Sequence, residues 1–173
     1  MKKVSKGLFL ASVAIGFGIA DALIILANVR TRTAYPQAGL TLMAASVVPM
    51  LYGAIFMLIL WYKSWAAIQD GHARTTPTKA IVLLFIPLFN IYMIFQTVWG
   101  LSKDFNAYFQ RHHISAARLP ERLFLAFCVL CGASMIPKVG LVFLAVNYVV
   151  ALIMVSALCD AINAVAGKPP MTS

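Results

Sequence analysis

Acidic residues are scarce in this chain: 5 Asp and Glu stand among 173 residues, against 14 Lys and Arg. Charged residues of both signs make up only 11% of it, where a soluble domain carries about 25%. A disordered chain needs far more charge and less apolar content. Cysteine is also rare, with 3 residues and none in a long loop, which excludes a disulfide framework. There is no glycine-rich phosphate loop, no H-E-x-x-H pair, no G-x-S-x-G elbow and no closely spaced pair of carboxylates. The reading therefore leans away from an enzyme and expects neither cofactor nor metal. What the chain does have is apolar surface, at 62% hydrophobic residues. A net charge of +9 on a soluble protein would suggest nucleic acid. On a chain this apolar it reports orientation in a bilayer and attraction to anionic headgroups, with no nucleic-acid partner.

A spanning helix needs about 20 consecutive apolar residues. Residues 7–29 form such a run with one charge, Asp21, and residues 37–62 form one with none. Uncharged runs also cover residues 80–102, 123–137 and 139–159. If all five runs cross, Lys and Arg divide seven to seven between the two faces, against the rule that cytoplasmic loops are enriched in them. If the third run enters and leaves on one face, eleven lie with the termini and three, Arg30, Arg32 and Lys138, lie opposite. The expected fold is thus an all-α integral membrane protein forming a single domain with both termini cytoplasmic. Its four spans fall at about 7–29, 37–62, 120–137 and 139–160, with a membrane-dipping segment at 77–100 and an amphipathic helix at 100–113. Five spans is the alternative. Lys2, Lys3 and Lys6 ahead of an apolar run resemble a signal peptide, but the run resumes after Asp21 and favours an uncleaved anchor.

The central run carries its own punctuation. Thr76-Pro77 reads as a helix cap followed by proline at the first helical position. Pro87 lacks a backbone N–H and breaks the helix, and Asn90 three residues later offers a side chain to the freed carbonyls. Beyond it Phe95, Val98, Ser102, Phe105, Tyr108, Phe109 and His112 recur at spacings of three and four, while Lys103, Asp104, Asn106, Gln110 and Arg111 fall elsewhere. Trp61, Trp65 and Trp99 suit an interfacial belt on the cytoplasmic face. Trp61, Trp65 and Ile68 also extend the second helix beyond its span, and Asp70-Gly71 offers the stop.

The pattern Pro77-x-x-Ala80-Ile81-x-x-x-Phe85-Ile86-Pro87-x-x-Asn90-Ile91-Tyr92-x-x-x-Gln96 resembles a bacterial family of multi-spanning membrane proteins of unknown function. Its members have two spans, a Pro-Gly-Trp-Ala-Val…Phe-Ile-Pro-x-x-Asn-Leu-Trp segment and two more spans. This chain has Thr78-Lys79 where the family has Gly-Trp, and Met93 where proline is common. The resemblance implies a bacterial inner membrane and a structural unit made by Pro77, Phe85, Pro87, Asn90, Tyr92 and Gln96. It brings no activity with it.

A few residues could do chemistry. Asp21 is the one acid inside a span, and such residues either serve a pathway or lock helix packing. Packing is the favoured role for it. Cys128 and Cys131 share a helix face and form a C-x-x-C pair, but they lie deep in an apolar run, where thiols lose reactivity. Asn147 and Tyr148 read as hydrogen-bond formers between helices. His72, His112 and His113 share a side with Asp70 and Asp104 and read as solvated polar residues. Three functions follow in order of preference. The first is a non-enzymatic adaptor or membrane-organising factor whose basic, aromatic cytoplasmic face meets the lipid surface, another membrane protein or a second copy of itself. The second is a small proton- or solute-linked transporter or channel using Asp21 and the broken segment. The third is a quinone-linked thiol oxidoreductase using Cys128 and Cys131.

Overall fold

The computed structural model describes residues 3–32, 35–86, 89–136 and 140–167, and every regular element among them is helical. Three helices are long and apolar enough to cross a membrane: α1 (Lys6–Thr31), α2 (Pro36–Ala67) and α7 (Gly140–Ala166). Ser5 starts α1 by accepting the Leu8 N–H, and Pro36 starts α2 at a position where its missing N–H costs nothing. Helix α2 overshoots residue 62 and ends at Ala67. Gly71 then turns the chain with a φ of +86°, in the left-handed region that glycine enters without a Cβ penalty.

Helix α1 runs opposite to both α2 and α7, and glycine lets the first two touch. A Cβ built on Gly16 would lie 2.6 Å from the Gly53 backbone, so the helix surfaces meet main chain to main chain there. Helix α7 lies antiparallel to α1. Tyr148 donates its hydroxyl to the Ala14 carbonyl at 3.1 Å. Near the start of α1, Val4 and Asn163 exchange two hydrogen bonds of 2.7 and 3.0 Å, and Lys6 meets Asp160 at 2.7 Å.

The chain from residue 77 to 111 is broken into short pieces. Thr76 caps α3 (Pro77–Val82), and a 3₁₀ turn (Leu83–Phe85) follows. Next come α4 (Phe89–Ile94), a π-helical turn (Phe95–Trp99) and α5 (Gly100–Arg111). Pro87 lies outside the described residues. At the break itself the main chain of Asn90, not its side chain, makes the bond, donating to the Ile86 carbonyl at 2.9 Å. The two ends of the broken segment then meet. Thr97 donates its hydroxyl to the Ala80 carbonyl at 3.0 Å, and the Trp65 indole N–H donates to the Thr97 carbonyl at 3.1 Å. All three residues are fully buried.

Helix α5 turns Leu101, Phe105 and Phe109 into the core. Asn106, expected among the solvated residues, is buried with them. Its amide accepts from the Leu119 N–H at 2.8 Å and donates to the Leu119 carbonyl at 3.0 Å, mimicking a backbone pair. That clamp fixes the loop ahead of α6 (Glu121–Ala133). The apolar run read as 120–137 is helical for only these 13 residues, about 20 Å of rise against a core of about 30 Å. Residues 137–139, with Lys138, lie outside the described residues. The tryptophan belt also needs correction. Trp65 is fully buried and Trp61 is 7% exposed, because both are core residues of the bundle rather than headgroup anchors.

The glycine contact gives a direct test. Gly16→Ala should lower the melting temperature in detergent, at a cost of about 1–3 kcal/mol for the overpacked contact. Gly132→Ala, where a Cβ would meet nothing within 4 Å, should be neutral or slightly stabilising in the same melt.

Candidate functional site

The short pieces between α2 and α5 cannot fill the middle of the bundle, and a cavity of about 370 Å³ remains. Helix α1 supplies Phe17 and Asp21, four residues apart and so on one face. Helix α2 supplies Ala54, Met57, Leu58 and Trp61, and α7 supplies Leu144, Asn147, Tyr148 and Ala151, each set along one helical stripe. Phe127 and Cys131 of α6 form another wall. Leu84, Phe85, Asn90 and Ile94 of the broken segment complete it.

Most of this wall is apolar and much of it is aromatic. The polar groups are few, and several lack partners. The Trp61 indole N–H and the Asn147 side-chain carbonyl are buried and make no hydrogen bond. Asn147 spends its amide N–H on the Cys131 sulfur, at 3.2 Å. Among the described residues, nothing pairs with the Asp21 carboxyl. A buried polar atom left unsatisfied costs about 1–3 kcal/mol. An ionised aspartate at the centre of a spanning helix costs about 2.5–3.5 kcal/mol on the insertion scale. One residue with an unsatisfied donor, one with an unsatisfied acceptor and one unpaired acid therefore line a single cavity and leave a site with unmet demand. A small molecule with an apolar body and a polar end meets it.

The structure thus brings Asp21, Asn90, Phe85 and Cys131 to one place. It leaves the other singled-out residues elsewhere. Cys128 points away, toward the Ile94 carbonyl at 3.5 Å, so the two thiols of the C-x-x-C pair have different neighbours. Gln96 donates to the Tyr92 hydroxyl at 2.9 Å on an exposed face, and Pro77 serves the start of α3. Sequence reasoning missed Trp61. The expectation of an interfacial belt placed it at the headgroups, whereas it lines the cavity.

A second polar cluster lies where α2 ends and α5 ends. Asp70 accepts from Arg111 at 2.8 Å, lies 3.2 Å from His112 Nε2 and accepts the His72 N–H at 3.0 Å. Burial works against its charge, but the His72 amide, Arg111 and His112 outweigh it and hold the carboxyl at about 2. Arg74 pairs with Asp104 at 2.7 Å beside it, so two ion pairs tie the 68–76 turn to α5. Among the described residues, no three of His, Cys, Asp and Glu converge as metal ligands would.

Comparison of the chain with protein-family models, with curated proteins and with solved structures found no match. The reading of the site rests on its own geometry.

The depressed carboxyl predicts an acid response. A group held below its unfolded value contributes stability above about pH 4 and loses it as pH falls toward 2. Asp70→Asn should lower the neutral-pH melting temperature and flatten this acid limb. Melts of both proteins from pH 7 to pH 2 check it.

Proposed function

We propose that this chain is a small bacterial inner-membrane protein that binds a solute inside its bundle, in the transporter or channel class. The observation that carries the reading is one cavity lined by the unpaired acid Asp21 and by Trp61 and Asn147, each of which has a buried polar atom without a partner among the described residues. Adaptor function ranked first on the sequence because aromatic and basic residues cluster toward one face. The aromatic side chains of α5 that would make such a platform, Phe105 and Phe109, are spent on the protein's own core. The cavity is the feature whose chemistry asks for a partner.

The same proposal gives the chain four crossings, with both termini on the cytoplasmic side and residues 77–100 dipping into the bilayer and returning. Two observations support it. The Thr97–Ala80 bond sets the two ends of the dip side by side, and the distribution of Lys and Arg favours this orientation. Irregular backbone at membrane depth is tolerated where protein or a cavity shields it, and here both are present. The short helix α6 then crosses with help from the residues after Ala133, or with local thinning of the bilayer.

Topology is tested by single cysteines in a cysteine-free background, labelled in intact cells. Positions 74 and 111 should both resist an impermeant reagent, while position 30 should react. Labelling of 74 and 111 from opposite sides means five spans. Solute binding is tested by filling the cavity. Ala54→Phe should melt cooperatively in detergent yet lose the thermal stabilisation that small apolar molecules with a polar end give to the wild type. Identical responses from the two proteins remove the binding reading.

A further inference from the structure

We infer that the ligand of this cavity is an organic ammonium ion with an aromatic or otherwise apolar body, an inference that rests on the solute-binding reading above. The argument starts from the acids. The chain has 5, and four of them are served by neighbours. Asp70 holds Arg111, Asp104 holds Arg74 and Asp160 holds Lys6. Glu121 accepts from the Asn106 amide at 3.0 Å. Asp21 is the exception among the described residues, and it is the acid at the cavity. Among the described residues, no Lys, Arg or His side chain lines that cavity. A ligand that brings its own cation completes the pair.

The other groups specify what kind of cation. An ammonium that still carries N–H bonds suits an unpaired carboxyl, since such a head donates charge-assisted hydrogen bonds to the Asp21 oxygens. Aromatic residues reach the cavity from five elements: Phe17, Trp61, Phe85, Phe127 and Tyr148. Ring faces attract cations, and this attraction grows when water is excluded. The walls also exclude a small hydrated metal ion, which would want several oxygen ligands where one carboxyl and two amides are offered.

The test uses three probes of one shape: 4-phenylbutylammonium, its neutral isostere pentylbenzene and the anion 4-phenylbutanoate. Binding to full-length protein in a neutral detergent is read by equilibrium dialysis and by thermal shift. The ammonium should bind at least about tenfold more tightly than either comparison probe. Asp21→Asn should erase that preference while leaving pentylbenzene within about twofold, and Ala54→Phe should weaken every probe. The wild-type ranking alone decides the inference if Asp21→Asn fails to fold. Equal binding of ammonium and isostere, with both lost in Ala54→Phe, leaves a solute site but overturns its cationic specificity. Binding that Ala54→Phe does not alter, or no binding at all, overturns the solute site as well.

Discussion

Two hydrogen bonds at Thr97 hold the centre of this molecule in place. A helix interrupted in an apolar core exposes backbone carbonyls that water cannot reach, and each must find a donor inside the protein. The π-helical turn at Phe95–Trp99 loosens the ladder at the Thr97 carbonyl, and the Trp65 indole fills that position. The Thr97 hydroxyl does the same for Ala80. One residue thereby fastens the π-helical turn to α2 and to α3. With that knot the chain can break into short helices and still leave few polar groups stranded.

The cavity is the other face of the same arrangement. Short helical pieces do not occupy the space a full helix would fill. The surrounding helices are already fixed by glycine contacts and by Tyr148, so they cannot collapse inward. Close-packed interiors do not normally tolerate such space unless something supports its walls. Here the support is the rigid pair of α1 and α2 on one side and α7 on the other. Asp21, Trp61 and Asn147 are held apart by these frames, which is why their polar atoms do not satisfy one another.

Much of the frame was legible in the residues. Long apolar runs, with Asp21 the one charge in them, marked α1, α2 and α7, because the bilayer asks mainly for length and apolarity. The punctuation at Thr76-Pro77 and at Gly71 was legible too, since cap and left-handed turn chemistry is local. What hydropathy could not supply was the identity of neighbours. It set Trp65 at a membrane interface, where its indole instead reaches a carbonyl 32 residues away. It set Asn106 among solvated residues, though its amide copies a backbone pair with Leu119. It ran α6 on to residue 137, where Ser134 bonds back to the Cys131 carbonyl beside the helix end. A cavity is harder still, because emptiness depends on how several elements fail to meet.

The clasp between Val4 and Asn163 has a consequence in time rather than space. The two partners are 159 positions apart, so the first can be threaded into place long before the second exists. At 5–20 residues per second, ribosomes need roughly 8–30 s to bridge that gap. During that interval α1 and α2 have their glycine contact, but the near end of α1 is still open. Only when the last helix emerges can Tyr148, Asp160 and Asn163 close over it, in that order of synthesis. The molecule is sealed from the far side of its own chain, and a nascent product that stalls before α7 lacks the partners of Val4, Lys6 and Ala14.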